Sequence, residues 1–142
     1  MYQISYIENE AQLKPVLDMC YEVLGQHYSE YEHYTYEAWS IRIEKHSPVL
    51  LYAHIDNKVV AAVLGRPENE DSLVMGFTAC DKNHRRQGIT RHLVNQFEEN
   101  ARALGFKYIT LGAQKDAEAF YEKCGYKVIT EMNEQKIFQK VF

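Results

Sequence analysis

The segment Asn83-His84-Arg85-Arg86-Gln87-Gly88-Ile89-Thr90 has the residue types, in the right order, to receive a phosphate group. Two arginines and a glycine stand directly before an amphipathic run. Its apolar positions, Ile89, Leu93, Phe97, Ala101 and Leu104, recur at the three- and four-residue spacing of a helix. The first turn of a helix carries backbone N–H groups without partners and a partial positive charge. An anion placed there gains hydrogen bonds and a favourable field together. Gly88 lets a phosphate approach the backbone with no Cβ in the way. A strand-like run, Ser72 to Ala79, feeds the loop from its N-terminal side.

A second segment, Ala117-Glu118-Ala119-Phe120-Tyr121-Glu122-Lys123-Cys124-Gly125-Tyr126, reads as a short helix with Ala117, Phe120, Tyr121 and Cys124 on one face. Gly125 closes it as a left-handed cap, and a strand starts at Tyr126. Together the two segments resemble the GCN5-related N-acetyltransferase (GNAT) superfamily. There the pyrophosphate loop reads Arg/Gln-x-x-Gly-x-Gly/Ala, and a later Asn-x-x-Ala-x-x-Phe-Tyr-x-x-x-Gly-Phe/Tyr segment completes the cofactor site. Here the corresponding residues are Arg85-x-x-Gly88-x-Thr90 and Gln114-x-x-Ala117-x-x-Phe120-Tyr121-x-x-x-Gly125-Tyr126. The match covers residues 72 to 130, and the N-terminal half agrees in its order of elements.

The resemblance implies a site. The strand before the loop is expected to be bulged and splayed, with free backbone groups at Thr78, Ala79 and Cys80 that pair with the pantetheine arm of acyl-CoA. An extended, amide-containing arm adds to an open strand edge much as another strand would. For the pyrophosphate, the implied donors are the backbone N–H groups of Arg86, Gln87, Gly88 and Thr90, with Ile89 in the same helix start and Arg85 or Arg86 adding charge. Thr90 departs from the usual Gly or Ala: its branched side chain restricts close approach, while its hydroxyl can itself donate. Gln114 replaces the common Asn with an amide one methylene longer, and Phe120 packs against the cofactor or the core.

Tyr121 falls where many members of the family place the general acid that protonates the departing CoA thiolate. That chemistry needs a donor, because a thiolate expelled into a dry site is unfavourable without one. The general base is less legible. The strand at 72–79 carries no Glu, Asp or His, and the candidates Glu70, Asp71, His27, His33 and His54 are each more simply explained as surface or packing residues than as a base. Binding the small neutral fraction of an amine is the alternative to a base. The cluster Tyr28, Tyr31, Tyr34, Tyr36 and Trp39, interleaved with Glu30, Glu32 and Glu37, either walls a site for a cationic amine or packs helices onto the sheet or a dimer partner.

These residues require a scaffold. Tyr2 to Ile7 reads as a strand, and Leu13, Val16, Leu17, Cys20, Tyr21 and Leu24 as a helix from near Lys14 to Gly25, with Pro15 in its first turn. Thr35 caps a second helix running to Lys45. Val49–Ile55 and Val59–Leu64 form a hairpin about Asp56-Asn57-Lys58, and the strand at 72–79 follows. The helix after Gly88 runs to Gly105. Next come a strand at 106–111, a helix at 115–124, and strands at 126–131 and 135–141. The expected fold is mixed α/β: one domain over 1–142, a mostly antiparallel seven-stranded sheet and four helices, as the resemblance implies.

Composition narrows the partners. The 142-residue chain has a net charge of −4, from 16 basic and 20 acidic side chains, with no basic stripe, which argues against nucleic acid. No apolar run is long enough for a membrane span, the first residues lack a secretory pattern, and Cys20, Cys80 and Cys124 form neither a disulfide framework nor a metal knuckle, so a reducing cytoplasm is expected. The reading is an acetyl-CoA-dependent N-acetyltransferase without a metal, acting by direct attack of a primary amine on a small molecule or a protein. The family often forms homodimers. A non-catalytic acyl-CoA-binding or sensing domain and a protein-interaction module are the alternatives.

Overall fold

The computed structural model describes residues 1–142. Its elements run β1 (Gln3–Tyr6), α1 (Glu10–Leu24), α2 (Tyr36–Ser40), α3 (Ile43–His46), β2 (Leu50–Ile55), β3 (Lys58–Pro67), β4 (Ser72–Cys80), α4 (Ile89–Ala103), β5 (Tyr108–Ala113), α5 (Glu118–Lys123), β6 (Lys127–Met132) and β7 (Gln135–Val141). Short 3₁₀ turns occupy Gln26–Glu30, Ser47–Val49, Lys82–His84 and Lys115–Ala117. The strands form one sheet in the order β1-β2-β3-β4-β5-β7-β6. Every neighbouring pair is antiparallel except β4 with β5.

Each face of the sheet carries its own core. Leu13, Val16, Leu17, Cys20 and Tyr21 of α1 bury their stripe with Trp39 against Leu50, Leu64 and Phe77. On the opposite face, Ile89, Leu93, Val94, Phe97 and Ala101 of α4, with Tyr121 of α5, cover Leu51, Val63, Leu73 and Phe138. Large apolar side chains of this kind each contribute about 1.5–3 kcal/mol when fully buried. The helical periodicity in the sequence therefore places α1 and α4 on the sheet through the residues it predicts, except Leu104, which lies past the end of α4 and is exposed.

The structure departs from the sequence-based expectations in four places. Helix α1 starts at Glu10, not near Lys14, because Asn9 caps it by accepting the backbone N–H of Gln12 at 2.9 Å; Pro15 thus lies inside the helix, on its exposed side. The predicted second helix breaks between Ser40 and Ile43 into α2 and α3, so there are five helices instead of four. Its Thr35 cap is present, accepting from Ala38 N at 3.1 Å. The fifth strand begins at Tyr108, not at residue 106: Phe106 N bonds back to Ala101 O, and Lys107 N and Tyr108 N bond to Asp71 O. The hairpin turn is tighter than predicted, with Asp56 and Asn57 both at positive φ (48° and 67°), the backbone of a type I′ turn.

Two irregularities of β4 open the sheet. Its register against β3 shifts between Leu64 and Gly65: Leu64 pairs with Phe77 and Gly65 with Met75, leaving Gly76 as the extra residue of a bulge. Met75 and Phe77 would share a face in a regular strand. The bulge sends Met75 into the α4-side core and Phe77 into the α1-side core. A Cβ at Gly76 would come to 3.0 Å from Tyr34 Cε1 and 3.2 Å from Trp39, so the missing side chain lets these aromatics lie over the bulge. Along its other edge, β4 pairs with β5 only at Ser72, Leu73 and Val74. Beyond that point β5 continues against β7 and β4 against β3, and the two strands diverge.

Candidate active site

The divergence of β4 from β5 makes a cleft with two cavities. The first, about 490 Å³, is lined by Thr78, Ala79 and Cys80 of β4, by His84, Arg85, Arg86, Gly88, Ile89 and Thr90 of the loop and helix start, and by Gln114, Ala117, Phe120 and Tyr121 around α5. Val23, Leu24, Arg91 and Asp116 complete it. The second, about 350 Å³, is lined by Tyr28, Tyr31 and Tyr34, the bulged segment Val74 to Thr78, Leu111 to Gln114 and Gln135. Leu24, Thr78, Gln114, Ala117 and Tyr121 line both. The two cavities therefore meet at Tyr121.

Of the residues predicted for the cosubstrate, only Gln87 does not line the first cavity. Local backbone geometry explains the cradle. Arg86 and Gly88 both take positive φ (63° and 79°), so the chain turns sharply before entering α4. A Cβ built on Gly88 would meet nothing within 4 Å, so open space lies directly in front of the helix N-terminus. Helix α4 has no side-chain cap there, which leaves its first N–H groups available. Arg85 is tied down by its Nε, which donates to Cys80 O at 3.2 Å. Asp81 accepts from His84 across 3.0 Å, and this bond contributes to holding the carboxyl below its ordinary range. Three guanidinium groups, on Arg85, Arg86 and Arg91, border a cavity with one carboxylate, Asp116.

Tyr121 is buried at 6% exposure, and burial raises its phenol above the ordinary tyrosine range, with the Thr78 hydroxyl pulling the other way. It holds its proton at neutral pH and is a competent donor. Phe120 packs edge-on to it at 5.1 Å between ring centres. Cys80 lines the first cavity, and burial raises its thiol despite a hydrogen bond from Thr90 and the charge of Arg85. It is no activated nucleophile. Cys124 is buried and its thiol likewise raised.

Part of the tyrosine cluster packs onto the sheet and also lines the second cavity. Tyr34 stacks on Phe77 at 4.9 Å, Tyr28 meets Phe77 edge-on at 5.8 Å, and both still line the second cavity. Glu30, Glu32 and Glu37 do not line it, so carboxylates are absent from its wall. None of the candidate bases lines either cavity. His54 bonds Ser5 Oγ at 2.9 Å on the far edge of the sheet, Asp71 pairs with Lys107 at 3.5 Å, and Glu70, His27 and His33 are exposed and line neither cavity. No three His, Cys, Asp or Glu residues are grouped as metal ligands would be.

Sequence reasoning missed Val23, Leu24, Arg91 and Asp116. Arg91 was the most accessible of these, since it lies in the first turn of α4 directly after Thr90. Val23 and Leu24 continue the α1 stripe, which reads as core until the sheet is seen to open beneath it.

Residues 11–126 match the acetyltransferase (GNAT) family. The chain belongs to the GNAT family and is an acetyltransferase. Its fold is that of other GNAT proteins. The PaiA N-acetyltransferase of Thermoplasma acidophilum, solved in complex with coenzyme A, superposes with a TM-score of 0.81 at 16% identity, covering 100% of this chain and 99% of that one. The polyamine N-acetyltransferase of Drosophila melanogaster, which forms N-acetylagmatine, gives 0.78 at 10% identity with full coverage of both chains, 100% and 100%. A GNAT family acetyltransferase of Elizabethkingia anophelis with acetyl-CoA bound gives 0.70 at 12% identity over 99% of this chain and 98% of that one. No helix of this GNAT chain is long and apolar enough to cross a membrane.

Proposed function

We propose that this GNAT protein transfers an acetyl group from acetyl-CoA to a primary amine, by direct attack in a ternary complex. The observation that carries this reading is that one buried phenol, Tyr121, lines both the cavity bordered by the arginine-rich loop and the cavity walled by tyrosines. The first suits acetyl-CoA on three counts: the unpaired edge of β4 can receive an amide-containing arm, the space before Gly88 can admit a pyrophosphate, and Arg85, Arg86 and Arg91 supply positive charge. Thr90 fits as an added hydroxyl in the cradle, and the longer Gln114 still lines it.

The acceptor amine occupies the second cavity. Its wall offers no carboxylate or imidazole, so the amine enters as its neutral form. The nitrogen lone pair forms the new C–N bond, a β4 backbone N–H supports the oxyanion, and the C–S bond breaks. Tyr121 gives its phenolic proton to the departing sulfur, and the proton lost from nitrogen restores the phenol through solvent.

The test is CoA release from acetyl-CoA with a panel of primary amines. Amine-dependent release that tracks formation of the N-acetyl product supports the reading. Binding of acetyl-CoA with no release for any amine would leave a sensing domain instead.

A further inference from the structure

Beside the acceptor cavity stand two arginines with no negative group to answer them. The guanidinium carbon of Arg42, in the break between α2 and α3, lies 4.4 Å from the centre of the Trp39 ring. That of Arg66, near the end of β3, lies 5.8 Å from the centre of the Tyr34 ring. Tyr34 is a wall of the acceptor cavity, and so is Val74, the cross-strand partner of Arg66. Arg66 thus adjoins the cavity through both, and Arg42 stands behind it on Trp39, although neither arginine is in the cavity wall.

Three buried donors here have no acceptor: Arg42 Nη1, Arg66 Nε and Trp39 Nε1. All six ion pairs in the protein are made by lysine or histidine, and no arginine takes part in one. Stacking on aromatic rings stabilises the two cations but does not satisfy their N–H groups. Tyr34 opposes, but does not cancel, the effect of burial and of the second positive charge on Arg42. Burial and the charge of Arg66 lower the Arg42 guanidinium to about 10, and burial, Lys45 and Arg42 together lower the His46 imidazole. Partly buried, unpaired positive charge beside empty donors is unfavourable unless an anion completes it. Both arginines are only half-buried as whole residues.

We propose that Arg42 and Arg66 form an anion subsite of the acceptor cavity, and that the acceptor is a small amine carrying a carboxylate. A planar guanidinium pair matches a planar carboxylate, and a cavity without Asp or Glu beside two arginines repels a polycation. This inference rests on the acetyl-transfer reading for the amine but not for the anion.

Two measurements separate the two claims. Trp39 is the only tryptophan in the chain, so its indole N–H signal in a nitrogen-15 NMR spectrum reports on this subsite without any turnover. The titrants are N-acetylglycine and inorganic phosphate. A saturable shift of that signal by N-acetylglycine, lost in Arg66→Gln and partly kept in Arg66→Lys, is the expected result. No saturable shift, a shift unchanged in Arg66→Gln, or a response to phosphate alone would overturn the carboxylate subsite. In turnover, matched pairs such as phenylalanine with 2-phenylethylamine and leucine with isopentylamine are compared. The carboxylated member should have the lower KM, and Arg66→Gln should raise its KM about tenfold while leaving the plain amine unchanged. Acetylation of the plain amines alone would overturn the anion subsite and leave acetyl transfer standing. No acetylation of any amine would refute acetyl transfer, while the indole titration still decides the anion.

Discussion

Replacing Tyr121 with Phe isolates one atom at the junction of the two cavities. The ring packs against Phe120 at 5.1 Å and Tyr126 at 5.9 Å, contacts that phenylalanine keeps. The polar groups that act on the phenol are the Thr78 hydroxyl, its hydrogen-bond partner, and the Cys124 thiol, so folding should change by about 1 kcal/mol, the worth of one neutral hydrogen bond. Catalysis should change far more. Burial keeps the phenol protonated at neutral pH, so on the proposed mechanism it donates to a sulfur that would otherwise leave as a bare thiolate. A positioned general acid typically contributes about a hundredfold or more, equivalent to about 2.7 kcal/mol of barrier. The assay is thiol release from acetyl-CoA under saturating amine, with calorimetric affinity for acetyl-CoA measured alongside. The variant should lose about a hundredfold in kcat with cosubstrate affinity within about twofold of wild type. An unchanged kcat, or a loss confined to acetyl-CoA binding, would refute the acid role and leave Tyr121 as packing.

Three further predictions follow from the same geometry. Turnover should rise with pH as the acceptor amine loses its proton, with no plateau at a carboxylate or histidine pKa because none lines the acceptor cavity. It should fall only above the ordinary tyrosine range, where Tyr121 finally deprotonates, and a pH–rate profile inflecting near neutrality with amines of different pKa would contradict this. Tyr31→Ala removes an exposed wall residue and should raise acceptor KM alone, whereas Tyr34→Ala should raise it and also destabilise by about 3 kcal/mol through lost stacking on Phe77; equal loss of acetyl-CoA affinity would place these residues outside the acceptor site. Lys140 binds Glu98 at 2.9 Å and the Cys124 carbonyl at 2.7 Å, joining β7 to α4 and to the end of α5, so Lys140→Met should lower stability by about 3 kcal/mol in a urea titration.

The chemistry-bearing stretches were legible because each depends on local order. A loop with Arg85, Arg86 and Gly88 before a helical stripe can be read along the chain, as can Tyr121 on a helix closed by Gly125. The cavity at the helix start gathers Arg85, Arg86, Gly88 and Tyr121. Breaks depend on tertiary contacts and were not legible. The split into α2 and α3 accompanies Trp39 packing under Tyr34 with Arg42 turned onto its ring, a placement that a side chain at position 76 would crowd. The start of β5 was misplaced because Phe106 and Lys107 satisfy their N–H groups through Ala101 and Asp71, bonds no propensity encodes. The glutamates among the tyrosines looked like partners for a cationic amine; folding leaves them outside the cavity wall and brings Arg66, distant in sequence, beside Tyr34.

The central claim is that the splayed strand and the loop around Gly88 hold acetyl-CoA. Calorimetric titration of the wild-type protein and of Gly88→Glu with acetyl-CoA tests it most directly. Position 88 sits at φ +79° with open space before it, so a glutamate there is both strained and aimed, as a negative charge, into the cavity. Saturable binding to wild type is expected, and none to a variant that keeps its folded circular dichroism spectrum. Equal binding by both proteins, or none by wild type, would contradict it.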